Sequence, residues 1–175
     1  MTYKSILQNL FSAYTKITIV LFLSILFCTT QVWFSPKVQA SQEYGITTNN
    51  LFRLVNKERT NKGIPPLKIN SKIMNSAKNK GEDMAEKSYF AHTSPDGKSG
   101  LSGIDDQGYK YKTAGENIAV LYSSAEDAVS GWMNSQGHRQ NILNPKYTET
   151  GIAAVLGTYQ DVDTYYLVQQ FAQPR

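Results

Sequence analysis

Apolar residues recur at helical spacing three times along this chain before any strand pattern appears, and two strand patterns then follow one another at its C-terminal end. Helices first and strands last, with no regular alternation between them, imply an α+β domain built on an antiparallel sheet rather than a parallel βαβ array. The first helix carries Leu51, Leu54, Val55 and Glu58 on its pattern and stops at "NKGIPP", whose glycine and paired prolines break a helix. A second starts with Asn70 or Ser71 as N-cap and presents Ile73, Ala77, Met84 and Ala85 on one side, with Gly81 inside it.

A third helix lies in "SSAEDAVSGWMNS", where Ser123 three residues before Glu126 reads as a capping box ahead of Ala125, Ala128, Val129 and Trp132. Between the second and third helices, "HTSPDGKSG" and "GIDDQGYKYKTAG" are so rich in turn residues that one short helix around Leu101 to Ile104 is the only element expected from Thr93 to Gly115. The closing strands are "TGIAAVLGTY" and "TYYLVQQFA", separated by the turn-rich "QDVD".

Residues 1–40 have a different composition: Lys4, Lys16 and Lys37, no acidic residue, and the apolar run "ITIVLFLSILFC" from Ile17 to Cys28. A basic start before such a run is the pattern of a signal peptide, with "VQA" at Val38 to Ala40 as the cleavage site; an uncleaved N-terminal anchor is the alternative. A short polar lead-in, 41–47, then precedes one domain over 48–173. Secretion or residence in the cell envelope follows from this reading, with membrane association only if the N-terminal segment is retained.

Without its leader the chain has 15 basic residues against 14 acidic ones, a formal +1, so the basic pI of the whole belongs mostly to the leader. Nothing in that balance points to nucleic acid as a partner. The single cysteine is Cys28 in the apolar run, so the domain folds by packing alone, without disulfides.

Three residues could build a polar site: His92 in "YFAHTSPDG", Glu116 in "AGENIAV" and His138 in "QGHRQNIL". His92 and His138 are the only histidines of the chain, and each adjoins a Gly- or Pro-rich corner. Spacings of 24 and 22 residues are unlike the i, i+4 histidines of a helical zinc motif, so each residue alone also fits a structural role, Glu116 for instance by pairing with Arg139.

Taken in order, "LVNKERTNKGIPPL", "YFAHTSPDG", "GENIAV", "WMNSQGHRQNILNPKYTETGIA" and "YYLVQQFA" resemble the CAP superfamily of cysteine-rich secretory proteins, antigen 5 and pathogenesis-related 1 proteins, and its small bacterial secreted branch in particular. The resemblance implies a three-layer α-β-α sandwich with a central antiparallel sheet. It implies a cleft shared by two histidines and two acidic residues, onto which His92, His138 and Glu116 map. The second acid of that pattern falls on Ser135 here, leaving the tetrad one carboxylate short.

Three activities are open to such a cleft. His92, His138 and Glu116 could hold Zn2+ or another divalent cation, an affinity that falls as the imidazoles protonate. Ser135, His138 and Glu116 could act as nucleophile, base and orienting acid of a hydrolase. The domain could instead be an extracellular binding module for a lipid, sterol, glycan or protein, to which Tyr109, Tyr111, Tyr165 and Tyr166 would add amphipathic contact area. Binding without catalysis is the favoured reading, with Asn117 and Arg139 serving the scaffold.

Overall fold

The computed structural model describes residues 46–175, so the expected leader, its cysteine and most of the polar lead-in lie outside the described residues. The elements are α1 (Thr48–Asn61), β1 (Lys68–Ile69), α2 (Ser71–Glu86), α3 (Ser102–Asp106), β2 (Tyr111–Ala119), α4 (Ala125–Asn134), α5 (Gln136–Ile142), β3 (Glu149–Tyr159) and β4 (Val162–Pro174). The strands form one sheet in the order β1-β3-β4-β2. β4 pairs antiparallel with β2 and β3, and the two-residue β1 adds a short parallel edge to β3.

β4 is central, and alternate side chains feed two cores. Leu167 and Phe171 pack with Leu51, Val55, Trp132 and Ile142 of α1, α4 and α5 on one face. Tyr166 and Val168 meet Ala77 and Met84 of α2 on the other. Helices on both faces of an antiparallel sheet make the three layers expected from the sequence. Among the described residues no helix is long and apolar enough to cross a membrane.

Glycine explains how closely α2 lies on the sheet. A Cβ at Gly151 of β3 would stand 2.2 Å from the backbone of Ile73 and Met74, and one at Gly81 would stand 2.8 Å from Val155 Cγ2. The glycine that weakens the helical pattern of α2 is therefore a contact surface for β3.

Several local expectations need correction. Residues 111–119 are a strand, not loop, because the backbone of Tyr111 to Ala119 finds its partners on β4; its own sequence, with Lys112, Gly115, Glu116 and Asn117, has little strand character. The N-cap of α4 is Ser124, whose Oγ accepts from Asp127 N at 3.0 Å and donates to Asp127 Oδ2 at 2.7 Å, so the cap lies one residue later than Ser123 and pairs with Asp127 rather than Glu126. The Gly-His-Arg corner is itself helical, as α5, and Ser135 joins it to α4. β3 and β4 close on a two-residue turn with Gln160 at φ 51 and Asp161 at φ 65, the positive values that a type I′ hairpin turn requires.

α1 ends on an unusual clamp. Arg59 is 1% exposed and has no carboxylate partner among the described residues; its Nε donates to Pro65 O at 2.9 Å, Nη1 to Ile142 O and Asn144 O at 2.7 and 3.0 Å, and Nη2 to Tyr147 O at 2.9 Å. One guanidinium thus satisfies carbonyls at the end of α5 and in the loops beside it, tying α1 to the segment that carries His138.

Candidate functional site

His92 sits at the start of a compact loop closed on itself. Gly100 N donates to His92 O at 2.8 Å, Gly97 N to Ser94 O at 2.9 Å, and Lys98 N to Ser94 Oγ at 3.1 Å, around a Pro95-Asp96-Gly97 turn in which Gly97 has φ 82. The loop leaves the His92 side chain 56% exposed.

Glu116 projects from β2 toward this loop, its side chain only 4% exposed. Oε1 lies 2.8 Å from His92 Nδ1, and Oε2 accepts from Gln170 Nε2 at 2.9 Å. Gln170, its cross-strand neighbour on β4, also donates to Gly100 O at 2.9 Å. Glycine at position 100 leaves the room that the Glu116 carboxylate occupies, since a Cβ would fall 2.3 and 2.4 Å from its two oxygens. A buried carboxylate is held by one amide and one imidazole, which is what a charge at this depth requires. A carboxylate only accepts, so Nδ1 of His92 carries the hydrogen and Nε2 is the ring nitrogen left for a ligand.

His138 is half-buried on α5. Its main-chain oxygen accepts from Asn117 Nδ2 at 3.1 Å, and Asn141 Nδ2 donates to Asn117 Oδ1 at 2.9 Å and to Glu116 O at 3.1 Å. This asparagine pair locks α5 against β2, so "GEN" and "HRQN" supply both the polar side chains and the pins that hold them. Burial, and then the nearby His92, hold the His138 imidazole below the usual histidine range. The two histidines are thereby electrostatic neighbours although 46 residues separate them in the chain.

The residues expected to share a cleft divide into distinct roles. His92 and Glu116 are hydrogen-bonded and His138 is close enough to sense His92. Ser135, half-exposed at the α4–α5 junction, makes no side-chain cap to α5, and the orienting carboxylate stands on His92 rather than on His138. Arg139 donates to Met133 O at 2.7 Å rather than to an acid. Tyr109, Tyr111 and Tyr166 are committed through their hydroxyls to Glu149, Asp105 and Thr158 O; Tyr165 is half-buried. Gln170 and Gly100 were invisible as site residues in the sequence, because only the β2–β4 register brings them to Glu116.

For a divalent cation the fit is specific but incomplete. Both Glu116 oxygens are engaged, and among the described residues no group of three or more His, Cys, Asp or Glu side chains is arranged to hold a metal ion. Two imidazoles remain as donors, with the carboxylate behind one of them, the arrangement of an outer-shell partner that fixes a ligand ring.

One sheet between helical layers, with a carboxylate-oriented histidine and a second histidine on the helix pinned to β2, defines the class as a three-layer α-β-α sandwich with a polar site at β2. The model of the CAP family, the cysteine-rich secretory protein family, matches residues 52–171, and the chain belongs to that family. It is 46% identical over 102 residues to the uncharacterised protein YkwD of Bacillus subtilis (strain 168), covering 58% of this chain and 40% of that one. It is 33% identical over 135 residues to the uncharacterised membrane protein YlbC of the same strain, covering 77% of this chain and 35% of that one. The chain thus spans well under half the length of these relatives. Among solved structures, an extracellular SCP-domain protein from Bacillus anthracis str. Ames superposes with a TM-score of 0.63 at 30% identity, over 72% of this chain and 40% of that chain. An outer surface protein from Borrelia burgdorferi shares the fold, with a TM-score of 0.64 at 18% identity over 73% and 92% of the two chains.

Proposed function

We propose that this chain is an exported CAP-domain binding module, and that His92 and His138 are the pair of donors with which its cleft takes a divalent transition-metal ion. The observation that carries the proposal is the Glu116–His92 hydrogen bond at 2.8 Å, which fixes one tautomer and leaves Nε2 of an exposed ring clear of the carboxylate, while the half-buried His138 feels the charge of that same ring. Two neutral imidazoles suit Zn2+ and its neighbours, and water would complete the coordination. Glu116 acts from behind the ring, holding the orientation in which His92 meets a ligand. Export is supported by the basic and apolar composition of residues 1–40, and by the extracellular description of the Bacillus anthracis relative.

Calorimetric titration of the protein with Zn2+ at about pH 7.5 and about pH 5.5, on either side of the ordinary histidine pKa, tests the reading. Heat at the higher pH that is lost at the lower pH and in a His92→Ala, His138→Ala double variant is expected. Equal heats from parent and variant would remove the metal-binding reading.

A further inference from the structure

We infer that the far end of the sheet carries a docking groove for a cationic, aliphatic segment of another protein. Leu121, Tyr122, Leu156, Val162 and Tyr165, with Asp163 on the lining, frame a groove of about 300 Å³ between the β2–α4 connection and the β3–β4 hairpin. Three of the four large apolar side chains that the described surface exposes converge there: Leu121 at 50%, Leu156 at 66% and Val162 at 51%. Leu121 is held in this position at φ 65, a left-handed backbone that a leucine adopts only under constraint, and its N–H is pinned to Thr164 Oγ1 at 3.1 Å. The β2–β4 register puts Glu116 opposite Gln170 and Ala119 opposite Leu167, so Leu121 lies about 16 Å along the strand direction from the histidine cleft.

Charge decides what the groove fits. Residues 113–138 and 147–174 contain no lysine or arginine, although the chain as a whole has more basic than acidic residues. Asp163 lines the groove, Asp161 forms the adjoining turn, and Glu126 and Asp127 stand exposed on the first turn of α4, just past Ser123 of the lining. Among the described residues none of these four pairs with a lysine or arginine. A second copy docked through the same groove would bring acid to acid, and a membrane surface of anionic headgroups would be repelled in the same way. A segment with Lys or Arg flanking two or three aliphatic residues satisfies both the apolar floor and the acidic rim.

The test is fluorescence anisotropy of a labelled peptide of alternating leucine and lysine, beside its leucine–glutamate counterpart and phosphatidylcholine vesicles, with the full chain. The lysine peptide should bind and the glutamate peptide should not. Affinity should fall at least about tenfold in a Leu156→Ser, Val162→Ser variant, since both anchoring side chains leave the contact. It should also fall in an Asp161→Asn, Asp163→Asn variant and in about 1 M NaCl, where the Debye length shrinks to about 3 Å. Both variants change exposed residues, and unaltered circular dichroism checks their fold. Equal binding of the two peptides, vesicle binding that the Leu156→Ser, Val162→Ser variant abolishes, concentration-dependent self-association lost in the same variant, or no change of peptide affinity in it would each overturn the assignment.

Discussion

Glu116 Oε1 stands 2.8 Å from His92 Nδ1 while its second oxygen takes a hydrogen from Gln170, so one buried carboxylate is shared between a sheet amide and an exposed imidazole. That relationship makes Glu116 a positioning residue. Glu116→Gln, which keeps the shape and removes the charge, should weaken Zn2+ binding by about 10- to 100-fold, the usual effect of losing a carboxylate behind a ligating histidine. Calorimetry on a variant with unchanged circular dichroism reads this directly; undiminished affinity would leave His92 needing no carboxylate.

Gly100 gives an independent route to the same carboxylate. A methyl group there would collide with both Glu116 oxygens at 2.3 and 2.4 Å. Gly100→Ala should therefore displace Glu116 from His92 and reproduce the binding loss of Glu116→Gln, at about 1–3 kcal/mol of stability for the overpacking. A Gly100→Ala variant that binds Zn2+ like the parent would contradict the geometry of the loop.

The depressed His138 pKa has a consequence for stability. The unfolded chain takes up a proton near the ordinary histidine pKa of about 6.5, whereas the folded protein resists doing so until lower pH. Stability contributed by neutral His138 is thus complete above that value and is lost as pH falls from it through the folded pKa. Urea midpoints should decline across this window in the parent, and the decline should be smaller in His138→Gln; identical pH profiles would assign the slope to other groups.

Arg59 offers the largest single effect on the fold. Its four hydrogen bonds to Pro65, Ile142, Asn144 and Tyr147 leave those carbonyls without partners when it is removed. Arg59→Met should cost about 3 kcal/mol or more by denaturant unfolding. Gly137→Ala is the contrasting case: among the described residues no other part of the fold lies within 4 Å of the added methyl group, and a helical glycine is replaced, so the change should be neutral or stabilising by up to about 1 kcal/mol.

The helices were legible in the sequence because each buries a periodic stripe, as Leu51 and Val55 or Ile73, Ala77 and Met84 do, and the closing strands because β4 is apolar on both faces. β2 was not, since Gly115, Glu116 and Asn117 owe their strand conformation to β4 and make their contacts with His92, Asn141 and Tyr147, all distant in sequence. For the same reason Glu116 could be proposed as a site residue while its real partners could not: nothing local to Gly100 or Gln170 announces that a sheet register will bring both to one carboxylate. The α5 helix was hidden by its shortness, and its placement depends on the non-local Asn117–Asn141 pair rather than on an apolar stripe.

The two imidazoles are the only ones in the chain, so a long-range ¹H–¹⁵N spectrum of their ring nitrogens reports on the cleft without interference. At about pH 7.5, above the ordinary histidine range, Nδ1 of His92 should be protonated, and added Zn2+ should shift His92 Nε2 together with one ring nitrogen of His138 while leaving that Nδ1 proton in place. Ring nitrogens that ignore Zn2+, or a His92 that meets it through Nδ1, would contradict the assignment of Glu116 as the residue that aims His92 into the cleft.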